Sequence, residues 1–469
     1  MAQPSLVLVR RDLRLADNPA LSAALEGPGS VVALYIHETN LRRPTGAGRS
    51  WLNQSLLAHA ARLATLGVPL EVLEGPTEAA LAEAVARHGA TQIFWNRRYG
   101  PAERAVDAAL KARFRADGLA VDSFAGDTLV EPFTMETGTG KPYSVYTPFW
   151  KTLRTRDIAR PLPVPPARHP IAPPVVDADY RAPGWAGPLL AQWAVGEVAA
   201  EARLMAFLNG PVGDYAGSRD FPALNVTSRL SPHMAFGEIS PRQIWHAAKA
   251  MAAVRPEQDA AIEKFLSEVA WRDFNINQLY HRPDIAVHPM VEKFGRLPWR
   301  DDPAALLRWQ RGQTGFPIVD AGMRELWQTG TMHNRVRMLV ASLLTKNLMI
   351  DWRLGEAWFW DTLFDADPAN NPGNWQWVAG TGLDASPYFR IFNPITQGER
   401  FDAEGQYVRR YVPELASLPN EWLHKPFEAP DAVLEARGIR LGVTYPRPMV
   451  DLKASRGAAL EAFSALSAD

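Results

Sequence analysis

The chain has 469 residues, a formal net charge of −1 and no cysteine. That length exceeds what one hydrophobic core organises and predicts two or three domains. The near-zero charge excludes a bulk polycation, so any nucleic-acid binding needs a local basic face. The absence of thiols removes disulfides, thiolate nucleophiles and Cys-ligated metals, and suits a reducing, cytoplasmic setting. No run of 18 apolar residues is present, so no membrane span is expected. The start MAQPSLVLVRRDLRL puts its charges after the apolar stretch, the wrong order for a secretory signal.

The first part alternates between short apolar runs and Ala/Leu-rich stretches. Ser5–Val9, Val31–Ile36, Leu70–Leu73 and Thr91–Trp95 have the length and continuity of buried strands. Between and after them, Trp51–Leu66, Glu78–His88 and Glu103–Asp117 read as helices. This order predicts an α/β domain, a parallel Rossmann-like sheet covered on both faces, over residues 1–130. No G-x-G-x-x-G follows the first strand, so the usual dinucleotide fingerprint is missing.

Residues 131–195 are expected to form a linker, and Arg160–Trp185 is its proline-rich, extended part. From there the pattern turns helical, with Glu197–Asn209, Pro241–Val254, Ala260–Tyr280 and His333–Met349 as amphipathic stretches. Residues 196–469 therefore read as an all-α domain. One run breaks the pattern: Phe364–Pro394 is crowded with Asp, Asn, Gly and Pro, and carries Trp375, Trp377, Tyr388, Phe389 and Arg390. It reads as a long turn-rich stretch, either a surface loop with packed aromatics or a site.

Three constellations could carry chemistry. In SEVAWRDFN, Glu268, Trp271, Arg272 and Asn275 fall on one helical face. A solvated face with a Glu268–Arg272 pair is one reading; a polar and aromatic pocket wall is the other. In HNRVRM, Asn334, Arg337 and Met338 share a face, and the apolar continuation MLVASLL argues for burial of the helix. A buried Arg337 would need a carboxylate, which Asp365 or Asp367 could supply. Thr227, Ser228 and Ser231 precede an apolar stretch, where hydroxyls serve as helix caps or as phosphate ligands.

With these segments in view, the chain resembles the photolyase/cryptochrome family. RRDLRLADNPAL, DFPALNVTSRLSPHMAFGEISPRQ, WRDF, TGFPIVDAGMREL, MHNRVRM, DADPANN, NWQWV and PYFRIFNP match that family's motifs in its order, over nearly the whole chain. The resemblance implies FAD in the helical domain and blue-light-driven electron transfer. It assigns Tyr215, Thr227, Ser228, Leu230 and Ser231 to the phosphates and adenine side. Phe265, Glu268, Arg272 and Asn334 would contact the cofactor, with Phe265 standing where many bacterial members have Trp. Arg337 and Asp365 would pair beside the isoalloxazine, with Asp367 nearby. Asn371 would face flavin N5, where a neutral amide permits the fully reduced state. Trp375, Trp352 and Trp299 would form the electron relay, from proximal to outermost.

At the lesion site the chain is similar to members that repair cyclobutane pyrimidine dimers, at Glu268, Trp271, Asn334, Met338 and Trp377. The (6-4) photolyases have His at the position of Asn334, and plant cryptochromes depart at several of these positions. A flipped-out dimer needs aromatic walls, here Trp271 and Trp377, and polar partners, here Glu268 and Asn334. Arg219, Arg335 and Arg390 would pair with phosphates flanking the lesion. No metal or acid–base triad is called for. A blue-light signalling flavoprotein is the alternative; the chain stops without the long polar tail that such proteins commonly carry. Glu103 matches a folate-contacting carboxylate of some members, although Ala102 replaces their Asn and Leu8 and Val9 replace aromatics. A 5,10-methenyltetrahydrofolate antenna, seated differently, is therefore expected, with a deazaflavin as the other option. Partners reduce to ultraviolet-damaged DNA, with no membrane, no obligate protein partner and a monomeric state.

Overall fold

The computed structural model describes residues 4–466. Five strands, β1 (Ser5–Val9), β2 (Val31–Glu38), β3 (Leu70–Gly75), β4 (Gln92–Asn96) and β5 (Ala120–Phe124), form one parallel sheet ordered β3-β2-β1-β4-β5. The register pairs Val7 with both Ala33 and Phe94. Val7, Val9, Ala33, Tyr35 and Phe94 enter one buried cluster, while Leu6, Leu8, Leu34, Ile93 and Trp95 enter another. This alternation, with both faces covered, is why these strands read as continuous apolar runs. Helices α1 (Pro19–Glu26), α2 (Gly46–Thr65), α3 (Thr77–His88) and α4 (Pro101–Ala116) supply the crossovers. Strand β5 lies at the edge and buries fully only Val121, so its sequence lacked a strand signature.

The chain divides into two compact units, each discontinuous in sequence. The first holds residues 1–213, 227–283 and 364–369, and contains the sheet. Helix α5 (Tyr146–Leu153) belongs to it and lies inside residues 131–195. The extended Arg160–Trp185 stretch has no helix or strand, as expected of its prolines, yet it is tied down. Arg168 donates to the Leu25 carbonyl at 2.8 Å, and the Leu162 amide donates to Asp17 at 3.2 Å. Helix α6 (Glu197–Asn209) and the Pro241–Val254 helix have the predicted bounds, the latter opened by a reciprocal Ser240/Gln243 capping box. Gly237 (φ +68°) sits against the loop after β1, where a Cβ would lie 1.9 Å from the Arg11 carbonyl oxygen. Only glycine fits there.

The second unit holds residues 214–226, 284–363 and 370–469 and is helical. The Pro317–Thr329 and Asn334–Ser342 helices pack closely at Gly322, where a Cβ would come within 2.3 Å of Val336. The helix expected to run to Met349 changes character after Ser342, continuing as a π-turn over Leu343–Asn347. Inside the stretch read as one long loop, Asn370–Ala379 is a helix. Its apolar residues are distributed around the axis, so no 3.6-residue stripe appears, and tertiary burial rather than amphipathicity holds it. Among the described residues no helix is long and apolar enough to cross a membrane.

Candidate functional site

In the first unit the 23-residue Asp259–His281 helix carries Phe265, Glu268, Trp271 and Arg272. Phe265 is buried and meets Phe207 of α6 at a centroid distance of 4.7 Å. The Glu268–Arg272 pair is not the one formed. Glu268 instead holds Lys264 at 2.7 Å, one turn back, and Arg272 turns to Asp127, meeting both its carbonyl and its carboxylate. Burial works against the Arg272 charge, but Asp127, Asp273 and Asp367 more than offset it and raise its pKa. Arg272 is thus a fixed cation. Trp271 stacks on Tyr146 of α5 at 3.8 Å and 11°, with Phe274 edge-on at 5.5 Å. One helix face therefore presents an indole, a carboxylate and a guanidinium, the indole and the guanidinium held by residues far away in sequence.

A cleft in the same unit is lined by Arg10, Arg11, Asn96, Arg98, Glu103 and Arg272, among others. Arg10 and Arg11 follow β1 directly and Asn96 ends β4, so the cleft lies where the strand order reverses. Three of its arginines pair with carboxylates of the same unit, while the buried Arg10 Nε and Nη1 make no hydrogen bond among the described residues. Arg10 and Arg98 pair with Asp107 at 2.9 and 2.7 Å, and Arg11 with Glu103 at 3.0 Å. Burial would raise the Glu103 pKa, but Arg11, Arg98 and Arg10 together hold it below its usual value.

Thr227, Ser228, Leu230 and Ser231 lie just before and at the start of a five-residue helix, Ser231–Ala235. Its N-cap is Leu230, and no side chain caps it. The capping use open to these hydroxyls is not taken: among the described residues those of Thr227, Ser228 and Ser231 make no hydrogen bond. They remain available to phosphate oxygens, an arrangement that fits a dinucleotide. Asp365 and Asp367 are half-buried in the short segment 364–369 of this unit.

The second unit holds Tyr215, Arg219, Trp299, Asn334, Arg335, Arg337, Met338, Trp352, Asn371, Trp375, Trp377 and Arg390. Tyr215 is buried with the Arg219 guanidinium 5.4 Å from its ring. Arg335 pairs with Asp220 at 2.5 Å and lies over Phe401 at 4.5 Å. Asn334 opens its helix exposed to solvent, and Met338 is half-buried one turn on. Burial pushes His333 down to about 4 despite Asp220, so its neutral ring accepts the Arg335 amide at 3.3 Å as the N-cap. Arg337 donates to the Met332 carbonyl at 2.8 Å. Asn371 is buried, and its amide donates to the Glu356 carbonyl at 3.0 Å and carboxylate at 2.8 Å. That fixes the amide's orientation and leaves its oxygen as the free acceptor.

Trp375 packs flat on Gly355, where a Cβ would meet the indole at 2.1 Å, and lies 5.0 Å from Phe359 and 6.1 Å from Trp309. Trp352 is buried at the first position of the Trp352–Thr362 helix. Trp299 is half-buried beside the Phe294, Leu297, Tyr388 and Leu466 cluster. Trp377 is half-buried, and its carbonyl accepts the Ser386 amide at 3.1 Å. Arg390 is exposed, and its guanidinium has no hydrogen bond or ion pair among the described residues.

Comparison with known proteins agrees along the whole chain. Residues 5–167 match the family model described as DNA photolyase, and residues 265–465 match the FAD binding domain of DNA photolyase. The chain is 48% identical to a deoxyribodipyrimidine photo-lyase of Agrobacterium fabrum, across 99% of this chain and 98% of that protein. It is 37% identical to Cryptochrome-1 of Arabidopsis thaliana, across 98% of this chain and 70% of that protein. Among solved structures, a bacterial class III photolyase from Agrobacterium tumefaciens superposes with a TM-score of 0.95 at 46% identity, over 100% of this chain and 98% of that one. A Synechocystis cryptochrome superposes at 0.89 with 30% identity, over 98% and 99%.

Proposed function

Because the chain belongs to the photolyase/cryptochrome family, we propose that it is a light-driven lyase that splits cyclobutane pyrimidine dimers in ultraviolet-damaged DNA. The observation that carries this reading is the end-to-end 48% identity with a deoxyribodipyrimidine photo-lyase. The Trp271 face supports it, because a flat indole braced by Tyr146 gives a lesion base an apolar wall. FAD, when bound, would supply the blue-light-driven one-electron chemistry that opening the dimer requires.

The protein's own residues bind and orient. Tyr215, Thr227, Ser228, Leu230 and Ser231 would hold the phosphates and the adenine side of FAD. Phe265, Arg272, Arg337, Asp365 and Asp367 would fix the cofactor, and Asn371 would offer the flavin a neutral amide. Glu268 and Asn334 bond the polar edges of the lesion, Trp271, Met338 and Trp377 enclose it, and Arg219, Arg335 and Arg390 take phosphates. Trp375, Trp352 and Trp299 would form the electron relay to the flavin, from proximal to outermost. For the antenna we take a folate seated away from Glu103, whose carboxylate is committed to Arg11; a deazaflavin is the other candidate. Residues 1–130 serve as the antenna domain, 131–195 as linker and 196–469 as the catalytic domain. We take the protein to act in the cytoplasm as a monomer, without an obligate protein partner.

The test is a repair assay. Reduced protein, ultraviolet-damaged oligothymidine and blue light should restore thymine absorbance, with no recovery in the dark. No recovery with reduced FAD bound would sink the reading and direct work to (6-4) lesions or to cryptochrome-type signalling. Trp271→Ala is expected to weaken damaged-DNA binding by about 1–3 kcal/mol, the usual worth of one base–aromatic stack. Flavin absorbance of the purified variant should be unchanged; loss of FAD would mean that the indole is structural.

A further inference from the structure

Among the described residues, one lysine inside the helical unit is buried without a carboxylate partner. Lys346 is fully buried, and its Nζ donates to the Tyr388 carbonyl at 3.0 Å and the Arg390 carbonyl at 3.2 Å. Burial pushes its pKa down to about 7, and the Arg390 guanidinium, itself a cation, adds to that. Burying an ammonium without an ionic partner is costly, so the lysine at this position points to a use. The π-turn over Leu343–Asn347 carries it, and such single-turn widenings often mark functional positions.

The carbonyls it holds define the use. The turn Pro387–Phe392 projects Phe389 and Arg390 into solvent. Inside the turn, the Arg390 amide donates to Pro387 at 2.8 Å. Among the described residues, two side-chain anchors tie this turn to the Asn334–Ser342 helix and its π extension. Ser342 accepts the Phe392 amide at 3.2 Å, and Lys346 grips the two carbonyls. The same continuous helix presents Asn334, Arg335 and Met338 at its other end. One rigid rod thus sets the spacing between those residues and the backbone of Arg390.

We propose that Lys346 is a positioning residue for DNA binding, clamping the Tyr388–Arg390 turn so that the free Arg390 guanidinium is aimed at a phosphate. This rests on the reading of Arg390 as a phosphate contact. Ammonium and neutral amine both donate to carbonyls, so the clamp is a fixed brace rather than a pH switch.

The test is a double-mutant cycle on the full-length, FAD-loaded protein, read by anisotropy of a labelled duplex containing one thymine dimer. Arg390→Ala should weaken binding roughly tenfold and reduce the salt slope of log K by about one. Lys346→Met, which touches no DNA, should reproduce both effects with unchanged flavin absorbance. The double variant should be no worse than Arg390→Ala alone, because the lysine acts only through the arginine. Trypsin should cut after Arg390 faster in Lys346→Met than in the parent. Should the methionine variant not fold, Lys346→Gln, which retains an N–H donor of shorter reach, enters the same cycle. If Arg390→Ala binds normally, the phosphate reading of Arg390 fails and the proposal with it. If Arg390→Ala weakens binding while the Lys346 variants bind normally, or the losses add, the clamp is overturned and the Arg390 reading stands.

Discussion

Asn371→Asp is expected to cost about 3–5 kcal/mol of stability at neutral to alkaline pH, the usual loss when a buried charge is left without compensation. The amide of Asn371 donates to both the backbone and the carboxylate of Glu356, and both side chains are buried. An aspartate removes the donor and sets a second carboxylate against the first, so burial and like charge both raise its pKa in the folded state. An acid raised in this way is tolerated below its unfolded pKa, near 4, and the deficit grows as pH rises through the raised value. Urea midpoints of parent and variant should therefore converge at acid pH and separate toward pH 8. If the two differ equally at every pH, the variant is not carrying a buried charge. If Asn371 contacts the flavin as proposed, the added negative charge should also lower the potential for full reduction, read spectroscopically in a reductive titration.

The second large effect concerns Asp273, next to Arg272 on the Asp259–His281 helix. It is buried and accepts the Leu129 amide at 2.6 Å. Burial raises its pKa to about 7, against the pull of Arg272 and of the backbone donors. The folded protein holds this proton where the unfolded chain has released it. Stability from this group is thus fully present below about pH 4 and is lost as pH rises through about 7. A shift of roughly three units corresponds to about 4 kcal/mol. Asp273→Asn keeps the acceptor but does not titrate, so relative to this variant the parent should lose about 2–4 kcal/mol between pH 4 and pH 8. Denaturation curves at the two ends of that range decide it. Parallel pH profiles would mean that Asp273 is ionised in the folded protein throughout. The position lies beside the Arg272–Asp127 pair, so a shift in flavin retention over the same pH range would tie the proton to the cofactor site.

Much of the fold was legible because burial on both faces leaves a strong linear trace. Four of five strands, three of the four crossover helices (all but α1), α6 and the Pro241–Val254 helix were readable from apolar runs, periodicity and caps. The exceptions have physical causes. Strand β5 is an edge strand that fully buries one residue, and the Asn370–Ala379 helix is enclosed on so many sides that no stripe remains. Ordered motifs over the whole chain also carried the family, the fold class and the expectation of a flavin, which the comparisons bear out.

What the sequence could not supply was the partner of each polar side chain. Helical spacing correctly put Glu268, Trp271 and Arg272 on one face, but it offered Glu268 as the mate of Arg272. The folded chain gave that guanidinium to Asp127, 145 positions away, and the indole to Tyr146. Nor did any local pattern mark Lys346, which reads as the polar residue of LLTKN and is fully buried against a turn 42 residues downstream. Periodicity reports which face of an element is apolar, because that depends on the element alone. Which carboxylate, carbonyl or ring meets a given charge depends on contacts distant in sequence, and those are decided only when the tertiary structure closes.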